Sequence, residues 1–206
     1  MSDRKFAIEI IRRDAGLPFN GEYTNREALI AVRDFVYRSM DPAKNLLPYV
    51  SSSTRYAALG SDLNYMFCGA ASASYAWALN ALGIRARTAQ IVGQKFLAGD
   101  DFFQTHVTVE AWVDGRWEIS DPTFNVSIAC STDPRKHLSV PEAVTCLEHG
   151  NAFVFLRGKS QGLRDRPDAT ALSGYFAAYS LPASDDEKAQ SYPTANWLAK
   201  ALALYH

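Results

Sequence analysis

No basic stripe and no acidic tail runs through the sequence. Lys and Arg number 21 against 22 Asp and Glu, for a formal net charge of −1, and the two signs are scattered. A nucleic-acid groove or a polybasic membrane patch needs cations gathered on one surface, so neither nucleic acid nor membrane is an expected partner. Long apolar runs are missing too. The opening MSDRKFAIEIIRRDAG is broken by charge too often to make a signal peptide or a membrane span, and the expected compartment is cytoplasmic. Cysteine is scarce. Three residues, an odd number, do not make a disulfide framework, and in a reducing compartment all three are expected as thiols. Internal repeats and low-complexity tracts are absent. What remains is a chain with 48% apolar residues, enough to bury one sizeable core, expected as a single domain over residues 1–206.

Periodicity organises the chain coarsely. Residues 4–13, with Phe6, Ile10 and Arg13 at turn spacing, predict a helix that ends before Gly16 and Pro18. From Thr24 or Asn25 as cap, with Glu27 in the first turn, Leu29, Val32, Phe35, Val36 and Met40 form one apolar stripe that Pro42 stops. Residues 41–64 carry Pro42, Pro48, a serine run and Gly60, an irregular approach to Cys68. Cys68 opens the helical stretch CGAASASYAWALNALG, in which Ala71, Tyr75, Leu79 and Leu82 recur and Gly83 supplies the stop. RTAQIV reads as a strand and QKFLAGDDFFQ as a loop. HVTVEAWV, a two-residue Asp114-Gly115 turn and RWEISDP read as a hairpin. Beyond Pro122 the pattern weakens to a helix at PEAVTCLEHG, a short strand AFVFLRG, a polar loop over 159–173, a strand in GYFAAYSL and a last helix from Trp197.

The positions around the first cysteine, YMFCGAASA over 65–73, are stripped of bulk on its C-terminal side. Close helix packing explains this, with Cys68 as a small hydrophobe. So does a helix N-terminus whose dipole stabilises a thiolate. The hairpin bears on the choice. A two-residue turn puts Val113 opposite Arg116, Trp112 opposite Trp117 and Thr108 opposite Asp121. His106 shares a face with Thr108, and diagonal neighbours lie roughly 7 to 8 Å apart, so imidazole and carboxylate can meet. One extra residue in the turn would put them on opposite faces. A helix-starting thiol, a strand histidine and a neighbouring aspartate supply a nucleophile, its base and the group that orients the base.

Three segments then carry a family resemblance: Cys68 heading a small-residue helix, ALGIRAR at 81–87, and HVTVEAWVDGRWEISDPT from His106 to Thr123. They resemble the transglutaminase-like superfamily of papain-related cysteine enzymes over residues 65–124. The resemblance implies an α+β fold in which a catalytic helix packs on an antiparallel sheet, here with extra helices at both ends and a catalytic unit of about residues 60–125. It implies Cys68 as nucleophile, His106 as base, Asp121 as orienter and no cofactor. It also implies acyl transfer through a thioester on Cys68, from an amide, ester or thioester donor on a peptide, protein or carrier, to an amine or to water. The arylamine N-acetyltransferases, a sister family, have Arg-Gly-Gly before the cysteine where Tyr65, Met66 and Phe67 stand here.

Around that triad, Asn64 is a candidate second oxyanion donor or a loop residue. Phe102 and Phe103 either line an acyl pocket or anchor their loop, and Trp112 with Trp117 is either a substrate wall or a core pair. Three other readings stand beside acyl transfer. One is a cysteine peptidase or amidase with the same triad. Another is zinc at Cys130, His137, Cys146 and His149, whose spacing lacks the usual ligand pairs. The third is a binding module that retains the fold without chemistry.

Overall fold

The structure, a computed structural model, describes residues 3–40, 56, 68–101, 103–159 and 168–181. Helix α1 (Asp3–Ala15) is followed by α2 (Asn25–Ser39), whose start is set by a reciprocal cap. The Thr24 hydroxyl accepts the Glu27 backbone N–H at 3.1 Å, and the Glu27 carboxylate accepts the Thr24 N–H at 2.7 Å. Helix α3 (Cys68–Ala81) begins at the cysteine, and Gly83 follows it at φ +89, a left-handed conformation that suits glycine at a helix end. Then come β1 (Ala86–Val92), a short α4 (Gln94–Ala98), β2 (Thr105–Val113), β3 (Arg116–Asp121), β4 (Val126–Cys130) and β5 (Asp133–His137). The order ends with α5 (Val140–Glu148), β6 (Phe153–Arg157), a 3-10 helix (Ala169–Tyr175) and β7 (Ala178–Ser180).

The strands form one antiparallel sheet in the order β5-β4-β3-β2-β1-β7, and β4 pairs along its length with β6. The architecture is α+β, as the sequence led us to expect. Each face of the sheet has its own core. On one, Val109, Ala111 and Val113 of β2 pack against α1, α2 and α3. On the other, Ala89, Ile91, Ile119, Val126 and Ile128 pack with residues of α5 and the 3-10 helix. Bulk is missing from α3 because it lies against the sheet. Ala71, Tyr75, Ala78 and Leu79 are fully buried, and the Ser72 hydroxyl donates to the Val107 carbonyl at 2.7 Å.

The hairpin register is the one a two-residue turn demands: Val113 faces Arg116, Trp112 faces Trp117 and Glu110 faces Ile119. Asp114 and Gly115 both have positive φ, 53° and 80°, the mirror-image turn whose twist matches the strands.

Several expectations need correction. QKFLAGDDFFQ is not all loop. Gln94–Ala98 forms a short helix from Gly93 to a left-handed Gly99, too short for a helical period to register. Part of the expected polar loop over 159–173 is the 3-10 helix. Strands β4 and β5 were not foreseen: β4 is buried at every position and shows no alternation, whereas β5 is exposed and charged. The three cysteines are not all thiols. Cys130 at the end of β4 and Cys146 on α5 form a disulfide, their Cα atoms brought to 6.1 Å by the packing of helix on strand. A separation of 16 residues carried no hint of this proximity, and the cysteine count no longer supports a reducing compartment. No helix among the described residues is long and apolar enough to cross a membrane. The helix expected from Trp197 lies outside the described residues.

Candidate active site

Three elements meet at one end of the sheet. Cys68 is the first residue of α3, His106 is the second of β2 and Asp121 is the last of β3. Because the turn holds two residues, His106 and Asp121 share the face of the sheet opposite α1, α2 and α3. The Nε2 of His106 and the Oδ2 of Asp121 are 2.6 Å apart. Cys68 at the start of α3 interacts electrostatically with the same imidazole, which stands between sulfur and carboxylate. The carboxylate cannot swing away, since its Oδ1 accepts backbone N–H groups from Thr123 at 2.8 Å and Phe124 at 2.9 Å. His106 and Asp121 are buried and Cys68 is half-buried.

Burial and charge oppose each other at all three groups. Burial pushes the Cys68 thiol up, but the hydrogen bond and charge of His106, with the Val107 backbone N–H, bring it below the ordinary thiol value. Burial pulls His106 down, yet the charge and hydrogen bond of Asp121, with Cys68 behind them, raise it to about 10. Asp121 is raised by burial, but the His106 charge and hydrogen bond and the Phe124 N–H hold it below the usual carboxylate range. All three shifts favour a thiolate beside an imidazolium, and the start of α3 adds its helix dipole and carries no acidic side chain in the first turn.

Two aromatic rings enclose the imidazole: Phe124 with its centroid at 5.2 Å and Tyr175 at 5.4 Å. Tyr175 escaped the sequence reading, since it ends a 3-10 helix 107 positions from the cysteine (175 − 68) with no period to mark it. Its segment is seated through Gly93, where a Cβ would collide with Gln104 and with the Gly174 carbonyl. The Ala177 N–H also donates to the Val92 carbonyl at 2.8 Å. The only local hint was a glycine closing a strand, which marks close backbone approach. Burial raises the Tyr175 phenol, and the charges of Cys68 and Asp101 raise it further.

The other residues singled out from the sequence are not gathered here. Phe103 is 77% exposed and does not anchor its loop to the core. Phe102 and Asn64 lie outside the described residues. Trp112 stands six positions along β2 from His106 (112 − 106), about 20 Å at strand rise. There it meets Trp117 edge-on and lines a separate open cavity of about 430 Å³ with Arg87, Lys136 and Glu142. Of the residues weighed as zinc ligands, Cys130 and Cys146 are joined to each other, and His137 contacts Arg26 and Glu118.

No family model matches the sequence, and no curated protein does. Among solved structures the chain is similar to a provisionally assigned cysteine protease from Cytophaga hutchinsonii, at 20% identity over 58% of this chain and 37% of that one, with a TM-score of 0.38. It is also similar to a protein described as a TGase, at 16% identity over 68% of this chain and 36% of that one, again with a TM-score of 0.38. The chain thus spans little more than a third of the length of either. At that TM-score neither likeness bears on what the site does.

Proposed function

We propose that the chain is a cysteine-dependent acyl-transfer enzyme that works through a thioester on Cys68. The observation that carries this reading is the buried imidazole hydrogen-bonded to a carboxylate, with the Cys68 sulfur, half-buried at a helix start, interacting electrostatically with the same ring. The thiolate attacks the carbonyl carbon of an amide, ester or thioester. The resulting oxyanion is met by the backbone N–H of Cys68 at the open end of α3. The tetrahedral adduct collapses as His106 gives its proton to the departing amine, alcohol or thiol, leaving the acyl group on sulfur. An acceptor amine or water then loses a proton to His106, attacks the thioester and expels the thiolate. Asp121 holds the ring in one orientation throughout and favours its cationic form.

The test is intact mass after incubation with peptide amides and carrier-bound thioesters. An acyl adduct that is absent from Cys68→Ala supports the reading, and complete inertness of Cys68 toward every donor, and toward small alkylating agents, rejects it. Hydrolysis by the same triad is the second reading. A ratio of amide to acid that rises with added primary amine and saturates indicates an acceptor site, whereas acid as the only product indicates a hydrolase.

A further inference from the structure

Arg33 is among the largest fully buried side chains of the described residues, and it plays no part in the chemistry above. It points from α2 into the underside of the sheet. Its Nη1 donates to the hydroxyls of Ser127 at 2.6 Å and Ser120 at 3.2 Å, and its Nε donates to the Asn125 Oδ1 at 3.1 Å. None of these acceptors is charged. Taking a guanidinium out of water against neutral acceptors is costly, and an apolar side chain of like volume would fill the space without that cost. The groups around it explain what it holds.

Ser120 and Ser127 are register partners across β3 and β4, so one nitrogen ties the two strands where the chain reverses. Between them run residues 121–126, which begin with Asp121 and include the two N–H groups that grip its carboxylate. Asn125 closes this corner at φ +54, in the left-handed region. Its Nδ2 donates to Asp34 at 2.5 Å, and its carbonyl accepts the Gly158 N–H at 2.8 Å. A Cβ at Gly158 would collide with both Asp34 and Asn125, so the corner is packed from outside as well. From α3, the Tyr75 hydroxyl bonds Ser120 at 2.8 Å and the Leu29 carbonyl at 2.8 Å.

Resting on the triad reading above, we propose that Arg33 is a positioning residue: it clamps the β3–β4 corner from beneath the sheet and so aligns the Asp121 carboxylate on His106. Its charge acts in the same direction as its hydrogen bonds. Burial dominates and lowers Arg33, and Tyr75, Asp34, Asp121 and Glu118, which face it electrostatically, offset only part of that cost, Asp121 doing so from across the strand. On the far side, the groups facing His106 are Asp121, Cys68 and the rings of Phe124 and Tyr175.

The experiment follows alkylation of Cys68 by neutral iodoacetamide against pH, which needs no knowledge of the substrate. In the unmodified protein the reaction sets in below the pH expected for an ordinary thiol. An ordinary onset there would reject the triad reading itself. In Arg33→Met, whose side chain fills similar space, the onset moves upward by about half a unit or more as the imidazolium loses its aligned partner. Arg33→Lys, which restores charge and one hydrogen bond, brings it part of the way back. A purely structural strut would lower the melting temperature and leave the onset where it was, and that result in a folded Arg33→Met overturns the proposal. If Arg33→Met does not fold, Ser127→Ala and Asn125→Gly decide the matter. Each loosens the corner and keeps the cation, an upward shift supports the clamp, and an unchanged onset in both overturns it.

Discussion

Strand β2 is buried on both faces, and its two faces are built from different chemistry. Val109, Ala111 and Val113 are fully buried toward the helices. His106, Thr108 and Glu110, alternating with them, are just as deep on the other side. The apolar face asks its neighbours only for shape and absence of water. The polar face needs partners in fixed directions, because an unsatisfied buried group costs far more than a misfitted methyl. His106 finds Asp121. Glu110 finds Arg87 at 2.7 Å and the Val140 N–H at 2.6 Å, which also pins the start of α5 to the sheet. One face thus makes the fold cohere, while the other makes a site whose parts arrive from distant segments.

That contrast breaks most visibly at His106. His106→Ala should lower acyl-adduct formation on Cys68, read by intact mass per folded protein, by about a thousandfold, since both the base and the stabiliser of the thiolate are gone. Retention of even a tenth of the rate would place the base elsewhere. The pH dependence sharpens the same point. The thiolate forms as pH rises through the lowered Cys68 value, and the imidazolium is lost as pH rises through about 10. Anionic iodoacetate should therefore react fastest between these limits and slow above the upper one, and a rate that only climbs with pH would deny the ion pair.

On the stability side the largest effect belongs to the disulfide that joins β4 to α5. Cys146→Ala should cost about 3 kcal/mol by denaturant unfolding, the closure of a loop of this length, and leave Cys68 as reactive as before. Val109→Ala, on the apolar face of β2, should cost about 2 kcal/mol with the alkylation profile of Cys68 unchanged. A moved profile would mean that the two faces are coupled. The smallest effect is expected at Gly69→Ala. A Cβ there meets nothing closer than a Val107 methyl at 3.8 Å, so stability should stay within about 0.5 kcal/mol and reactivity should persist. A large loss would show that the glycine beside the thiol is required for more than space.

Local chemistry alone determined much of this. Thr24 and Glu27 mark the start of α2 whatever surrounds them, because a capping box closes within four residues. Asp114-Gly115 sets a two-residue turn, and alternation then carries the register outward to place His106 and Asp121 on one face. Cys68 at the head of a small-residue helix was legible for the same reason, since helix starts and close packing both leave their mark on neighbouring residues. Other features were decided only when distant segments met. Strand β4 carries no alternation, because both its faces are covered, and nothing in its five residues announces that. Cys130 and Cys146 became partners through the docking of α5, Tyr175 reached His106 through the seat at Gly93, and Arg33 found Ser120, Ser127 and Asn125 more than eighty residues away. Hydrogen bonds within a turn are written in adjacent residues. Burial is a property of the whole chain, and its partners are chosen only when the sheet closes.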